Sequence, residues 1–118
     1  MNPIPEAKVM RIYMSNTDMF KYSLLYETIV FAAKRYGLSG ATVIKGVMGF
    51  GSSSIVNSIH FWEFNEKLPV VVEIIDTPAK IDSFAQKIEP WFNKIRYGCL
   101  ITIDTTHIYL QKQGTKKI

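Results

Sequence analysis

Residues 69–85 read PVVVEIIDTPAKIDSFA. The first half predicts a β-strand over Val70–Ile75, because adjacent β-branched residues suit a strand and resist a helix. The second half predicts a helix, for which Thr77 is a suitable N-cap and Pro78 a suitable first residue. Pro90 falls inside the helical pattern and predicts a kink or a break near its end. Apolar residues recur at helical spacing at Ile81, Phe84, Ala85, Ile88, Phe92 and Ile95.

The elements on either side of this stretch complete one pattern. Lys8–Ser15 and Ala41–Val47 are strand candidates, and the helical spacing of Leu25–Tyr36 between them ends at a glycine. Leu100–Thr105 predicts a last strand, and Ile108–Leu110 either continues it or forms an extra C-terminal strand. The order β-α-β-β-α-β predicts an α+β sandwich of ferredoxin-like topology. Such a fold leaves one sheet face without helices, and we expect a second copy of the chain to cover it.

Composition and length indicate one domain. The chain has 118 residues, of which 47% are hydrophobic and 20% charged, so a single domain over 1–118 with its core in 8–110 is expected. The net charge of +4 comes largely from a basic tail, 111–118, which is weak evidence for an anionic partner. No apolar run has the length of a membrane span, and the N-terminal residues lack the pattern of a signal peptide. Together with the single cysteine, Cys99, this predicts a cytoplasmic protein.

The most unusual stretch is the glycine-rich segment 45–54, KGVMGFGSSS. Glycines permit positive φ angles, so several backbone N–H groups can converge on an anion. The alternative is a flexible connection between two strands. The connection 46–67 is longer than an ordinary hairpin loop, which favours a functional role in contacting a partner. The residues predicted to contact that partner are Phe50, Phe61 and Trp62. The candidate ligand-binding residues in this stretch are Lys45, Gly46, Gly49, Gly51, Ser52 and Ser53.

A second candidate site lies in residues 93–98, NKIRYG, between the second helix and the last strand. Lys94, Arg96 and Gly98 combine two cations with a turn beside a helix end, which suits a phosphate. The alternative is structural, since cations stabilise a helix C-terminus and a glycine allows the chain to turn.

No set of residues predicts a reaction or a metal site. His60 and His107 lack metal-ligand spacing to each other and to Cys99, which we expect to be a buried core thiol. A nucleophile with an adjacent base is also missing. RNA-recognition motifs share the β-α-β-β-α-β order, but the predicted third strand, Val70–Ile75, has none of the aromatic residues that stack bases. We therefore expect neither an enzyme nor a nucleic-acid partner.

Four runs carry a family resemblance: 25–27 (LYE), 37–43 (GLSGATV), 43–51 (VIKGVMGFG) and 68–76 (LPVVVEIID). Together they resemble an uncharacterised PII-like family, the domain-of-unknown-function group numbered one-ninety. The resemblance covers most of the chain and implies a PII-like version of the ferredoxin-like fold. PII signal-transduction proteins are trimers that bind adenine nucleotides between subunits and contact regulated targets through a long loop.

A function follows from this resemblance as an expectation. It implies a homotrimeric signalling protein that binds a small anionic ligand at subunit interfaces, namely an adenine nucleotide such as ATP, ADP or AMP. The 46–67 loop would contact the partner, and the family's gene neighbours imply a membrane transport protein in that role. The alternatives are a ligand-free structural or protein-interaction trimer, and a metal-binding protein similar to CutA.

The resemblance also assigns a role to residues 93–98, as the turn that contacts phosphate. The positions that match the corresponding PII run are Lys94, Ile95 and Gly98. The positions that differ from it are Asn93, Arg96, Tyr97 and Cys99.

Overall fold

A computed structural model of the chain describes residues 6–50, 57–58 and 67–115. The main strands and both helices follow in the predicted order, and two short strand pairings lie between them. The elements are β1 (Ala7–Ser15), β2 (Met19–Phe20), β3 (Ser23–Leu24), α1 (Leu25–Arg35), β4 (Thr42–Lys45), β5 (Met48–Gly49), β6 (Asn57–Ser58), β7 (Pro69–Asp76), α2 (Pro78–Phe92) and β8 (Leu100–Thr106).

The four long strands form one antiparallel sheet in the order β4-β7-β1-β8. The first and last long strands of the chain therefore pair with each other, and β7 inserts between β1 and β4. Both helices pack on one face of this sheet. The predicted ferredoxin-like α+β fold is confirmed.

The core lies between the sheet and the two helices. Alternate residues of β1 and β7 face it, as expected for strands with one buried face. Helical residues three and four positions apart supply the other side. The fully or nearly fully buried members are Met10, Ile12, Met14, Leu25, Ile29, Ala32, Ala33, Val70, Val72, Ile74, Ile81, Phe84 and Ile88.

Helix α1 ends as its sequence predicts. Gly37 has a φ of 83°, a left-handed conformation that glycine adopts without a Cβ penalty. Its N–H donates to the carbonyl of Lys34, and the N–H of Leu38 donates to the carbonyl of Ala33. This pair of bonds is a Schellman motif, which satisfies the last carbonyls of the helix and turns the chain towards β4.

Helix α2 differs from its prediction at the C-terminal end. The Thr77 hydroxyl accepts a hydrogen bond from the N–H of Lys80 (3.3 Å), as expected for an N-cap. The expected break at Pro90 is wrong, because the helix continues to Phe92. A proline this close to the end removes only one intrahelical bond, and burial of Ile88 with part of Trp91 and Phe92 against the core holds the last turn.

Two further features differ from the sequence-based expectation. Strands β2 and β3 form a small hairpin ahead of α1, with Lys21 at a φ of 57° in its turn. The optional C-terminal strand is wrong for the described residues, since 107–115 form no strand. The chain leaves the sheet after Thr106, so Ile108–Leu110 have no ladder to join, and Tyr109 is 90% exposed.

The sheet face opposite the helices is uncovered in the single chain. Its centre is charged: Arg11 Nε lies 2.9 Å from Glu73 Oε2, and a second Arg11 nitrogen lies 3.5 Å from Asp104 Oδ2. Towards the end of the sheet where β1 finishes, the same face becomes apolar. Tyr13, Ile44 and Leu100 are 39%, 49% and 57% exposed there.

The left-handed conformation of Gly37 predicts a stability difference between two neighbouring glycines. Neither Gly37 nor Gly40 has an atom within 4 Å of the position where a Cβ would lie, and only Gly37 has a positive φ. Gly37→Ala should lower the free energy of unfolding by about 1–2 kcal/mol. Gly40→Ala is the matched control and should be neutral or stabilising by up to about 1 kcal/mol. Urea denaturation measures both, and equal effects would contradict the helix-end geometry.

Candidate functional site

A cavity of about 560 Å³ lies at one end of the sheet, where β1 and β4 finish and β7 and β8 begin. Its volume is within the range of small-molecule sites. Its wall combines aromatic and aliphatic side chains with a few polar groups and glycines. The lining residues are Tyr13, Met14, Ser15, Asp18, Ile44, Gly46, Met48, Gly49, Phe50, Lys67, Pro69, Val71, Tyr97, Gly98, Cys99 and Leu100.

One cross-strand row contributes a residue from each strand of the sheet to the cavity. Ile44 pairs with Val71, Val71 with Tyr13, and Tyr13 with Leu100. Directly paired residues point to the same face of an antiparallel sheet, so these side chains form a continuous apolar surface on the uncovered face. The register of the sheet alone therefore forms this part of the cavity wall, without any contribution from a loop.

Pro69 connects this surface to the glycine-rich segment. The N–H of Gly46 donates to the carbonyl of Pro69 at 2.7 Å. A Cβ on Gly46 would lie 2.9 Å from Pro69 Cγ, and one on Gly49 would lie 3.1 Å from the same atom. Close packing on the proline ring therefore excludes a Cβ at Gly46 and would make one at Gly49 tight.

The prediction that these glycines supply positive φ angles and free N–H groups for an anion is therefore wrong. Neither Gly46 nor Gly49 has a positive φ, and the N–H of Gly46 is already bonded to Pro69. The backbone of Gly46 contributes to the wall of the cavity without offering its N–H to a ligand.

Asp18 enters the cavity from the turn after β1. Its Oδ2 accepts a hydrogen bond from the N–H of Ser15 at 3.0 Å, and only 2% of the residue is exposed. Burial raises the pKa of the Asp18 carboxyl, and the Ser15 N–H and the charge of Lys67 partly oppose that rise. Asp18 Oδ1 has no hydrogen-bond partner among the described residues.

Cys99 lies at the β8 side of the cavity and is exposed. The expectation of a buried core thiol is wrong, because Cys99 precedes the first residue of β8 at the open end of the sheet. Partial burial and the negative charge of Asp18 raise the pKa of this thiol. A raised pKa lowers the thiolate fraction at neutral pH, so the site does not activate Cys99 as a nucleophile.

The structure brings together part of the predicted site. Of the predicted ligand-binding residues, those that line the cavity are Gly46, Gly49 and Gly98, and the predicted partner residue Phe50 joins them at 75% exposure. Their two stretches of sequence therefore meet at one place. The residues that do not line the cavity are Lys45, Lys94 and Arg96. The residues that lie outside the described part of the chain are Gly51, Ser52, Ser53, Phe61 and Trp62.

The predicted ligand-binding cations do not line the cavity. Lys45 pairs with Val70, and the Val70 side chain lies in the core. The Lys45 side chain is therefore on the helix side of the sheet. The guanidinium carbon of Arg96 lies 5.6 Å from the centre of the Tyr97 ring. Tyr97 lines the cavity, so Arg96 lies beside its wall.

Sequence reasoning missed several lining residues. Tyr13, Asp18 and Lys67 have no predicted role in a site. Tyr97 is predicted only as a departure from the PII pattern, and Cys99 as such a departure and as a buried core thiol. The alternation of β1 could have placed Tyr13 on the uncovered face. The approach of Asp18 to Cys99 depends on pairing between β1 and β8, which sequence periodicity does not reveal.

The loop that follows the glycine-rich segment has a short paired base. Met48 pairs with Ser58 and Gly49 with Asn57, which makes β5 and β6 a small antiparallel ladder. The sequence IHFWEF over 59–64 predicts a projecting ribbon that would present Phe61 and Trp62 to a partner, and these residues lie outside the described part of the chain. Within the described parts of the chain, no group of three His, Cys, Asp or Glu residues could hold a metal ion. No described helix is long and apolar enough to span a bilayer.

The profile of the family DUF190, described as Uncharacterized ACR, COG1993, matches residues 7–108. The chain belongs to this family. One similar protein is the UPF0166 protein MJ1524 of Methanocaldococcus jannaschii, which is 33% identical over 88% of this chain and 93% of its own length. A UPF0166 protein of Aquifex aeolicus is 34% identical over 91% of this chain and 98% of its own length.

Solved structures with the same fold are PII-like proteins. CPII from Thiomonas intermedia K12, in a structure bound to ADP and bicarbonate, superposes with a TM-score of 0.64 at 13% identity and covers 87% of this chain and 88% of its own. TTHA0516 from Thermus thermophilus, also described as PII-like, superposes with a TM-score of 0.63 at 14% identity, covering 88% and 90%. The PII-like version of the ferredoxin-like fold is thereby confirmed.

Packing on the Pro69 ring predicts a coupled effect of two substitutions. Gly46→Ala should lower the free energy of unfolding by about 1–3 kcal/mol, because the new Cβ overlaps Pro69 Cγ. Pro69→Ala removes Cγ and keeps Cβ, which lies at 3.7 Å from the same position. The double variant should therefore lose less stability than the sum of the two single variants, as a double-mutant cycle in urea would measure. Strict additivity would contradict the contact, and Gly40→Ala serves as the glycine control.

Proposed function

We propose that the chain is a PII-like regulatory protein that binds a small anionic ligand, an adenine nucleotide, in the cavity at the end of its sheet. The observation that carries the proposal is convergence: Gly46 and Gly49 from one predicted site and Gly98 from the other line the same cavity. In this proposal the protein is a single domain over 1–118 and acts by binding, without catalysing a reaction.

The walls of the cavity suit such a ligand. Tyr13, Phe50 and Tyr97 offer aromatic surface, and Met14 and Val71 add apolar surface. Aromatic and apolar walls with a small number of polar groups are typical of sites for planar, partly polar ligands. Lys67 in the wall and Arg96 beside Tyr97 supply positive charge for the anionic part.

Proteins of the same fold support the choice of nucleotide. CPII from Thiomonas intermedia K12 has been solved bound to ADP with bicarbonate, and bound to ADP and AMP with bicarbonate. Because the identity between CPII and this chain is low, these structures support an adenine nucleotide as the class of ligand. The contacts with the ligand are therefore argued from the residues of this chain.

Self-association is part of the proposal. Tyr13, Ile44 and Leu100 lie both on the uncovered sheet face and in the cavity wall. A second copy that covered this face would bury these side chains and close the cavity at the same time. We propose a homotrimer on the PII pattern, with the cavity at the boundary between subunits and the protein in the cytoplasm.

The response to the ligand would pass through the 46–67 loop. Its first residues line the cavity, and the β5–β6 ladder joins them to the rest of the loop. A ligand that contacts Gly49 or Phe50 would therefore act directly on the base of the loop. A membrane transport protein as the partner rests on the family resemblance alone.

A second candidate function is protein interaction without a small ligand. Three apolar residues of one short segment, Val47, Met48 and Phe50, are 69%, 60% and 75% exposed, and Met48 and Phe50 line the cavity. Such a cluster of apolar side chains suits contact with another protein. This candidate would replace the first if no nucleotide binds.

Calorimetry with ATP, ADP and AMP tests the proposal. At least one should bind with a stoichiometry of one per chain, and Cys99→Trp should weaken it at least tenfold, because the indole would occupy the cavity. Tyr22→Trp is the control, since Tyr22 is 97% exposed and does not line the cavity. Absence of heat with all three nucleotides would overturn the nucleotide role. Unchanged binding by Cys99→Trp would place the site elsewhere.

A further inference from the structure

Among the described residues, Asp18 is the one carboxylate in the cavity wall, and hydrogen bonds hold it in place. Its N–H donates to the carbonyl of Ser15 at 3.1 Å, and its carbonyl accepts from the N–H of Leu25 at 2.8 Å. Its Oδ2 accepts from the N–H of Ser15 at 3.0 Å. Every polar group of the residue except Oδ1 therefore has a partner within the turn between β1 and α1.

Oδ1 is the exception. It is buried, it has no hydrogen-bond partner among the described residues, and its residue lines the cavity. A buried acceptor without a partner is costly, and a carboxylate oxygen more so than a neutral one. The bond from Ser15 N–H holds the side chain in place, so the cavity that Asp18 lines is where a donor to Oδ1 can come from.

We infer that Asp18 Oδ1 accepts a hydrogen bond from an N–H group of the ligand, and that this contact selects a purine with a 6-amino group. The inference rests on the proposed nucleotide function and names the group that the site recognises. A phosphate is excluded as the partner of Oδ1, because two anions in contact at a buried position repel each other strongly. The uncharged donors of an adenine nucleotide are its ribose hydroxyls and the exocyclic amine of adenine. We assign the amine, because the wall that contains Asp18 also carries the aromatic side chains of Tyr13 and Tyr97, which suit the planar base.

The geometry predicts discrimination between ADP and inosine diphosphate (IDP). The two nucleotides differ only at purine position 6 and the adjacent ring nitrogen, where the amino donor of adenine is replaced by a carbonyl acceptor in hypoxanthine. With IDP, that carbonyl would face Oδ1 and leave two acceptors unpaired. The wild-type protein should therefore bind ADP about tenfold to a hundredfold more tightly than IDP.

Asp18→Asn should reverse the preference for a reason that the structure supplies. The N–H of Ser15 requires an acceptor at the Oδ2 position, so the oxygen of the new amide would take that place. Its NH₂ group would then point into the cavity from the position of Oδ1, and it would donate to the 6-carbonyl of IDP. The variant should bind IDP more tightly than the wild type does, and ADP more weakly. A gain in IDP affinity cannot result from misfolding.

Isothermal titration of ADP and IDP into the wild type, Asp18→Asn and Asp82→Asn tests the inference. Asp82→Asn makes the same chemical change at a residue that pairs with Lys8 outside the cavity, and it should keep the wild-type ratio. Equal affinities of the wild type for ADP and IDP, or a preference for IDP, would overturn the inference and leave the nucleotide function standing. A wild-type preference for ADP that Asp18→Asn retains would overturn the assignment to Asp18. Binding of neither nucleotide would overturn the proposed function and the inference together.

Discussion

Close packing on Pro69 is the contact on which the rest of the site depends. Its ring leaves no room for a Cβ at Gly46 and little room for one at Gly49, and its carbonyl accepts a hydrogen bond from the N–H of Gly46. As the first residue of β7, it also pairs with Ser15 at the end of β1. Proline has no backbone N–H to donate to a neighbouring strand. It is tolerated at the first residue of a strand, because the ladder does not need that donor there.

Two further hydrogen bonds join the turn after β1 to Leu68, the residue before Pro69. The N–H of Asn16 donates to the carbonyl of Leu68, and the Asn16 side-chain oxygen accepts from the N–H of Leu68, both at 2.8 Å. The turn that contains Asp18 is therefore held against the start of β7, while Gly46 and Gly49 are held against its other side. The cavity lies where these two attachments leave the end of the sheet open.

The sheet has two faces with different physical roles. The helix face is closed by packing of Phe84, Ile81 and Ile29, which are at most 1% exposed. The other face carries the Arg11 ion pairs at its centre and the apolar cavity row at its end. Exposed ion pairs add little stability, so the gain from covering this face would come from the apolar end. Ligand binding and subunit contact would then involve the same side chains, which gives a physical route for one to influence the other.

Much of the fold could be predicted from the sequence, because its signals are local. The valines of β7, the Thr77-Pro78 start of α2 and the glycine that ends α1 each act within a few residues. The site was only partly predictable. The glycine-rich segment stood out by composition, but the reason for Gly46 and Gly49 is contact with Pro69, which is distant in sequence. Asp18 could not be identified at all, because its importance comes from one unpaired oxygen at the meeting point of β1 and β8. The long-range register that produces this juxtaposition has no local signature.

Alkylation of Cys99 tests the central claim, that the cavity at the end of the sheet is the ligand site. Cys99 is the only cysteine of the chain and lies in the cavity wall, so its rate of reaction with iodoacetamide reports on that location alone. The rate should be followed at constant pH and protein concentration across a titration with ADP. We predict that ADP slows the reaction severalfold, with a midpoint equal to the dissociation constant found by calorimetry. An unchanged rate at ADP concentrations that saturate the calorimetric signal would contradict the account.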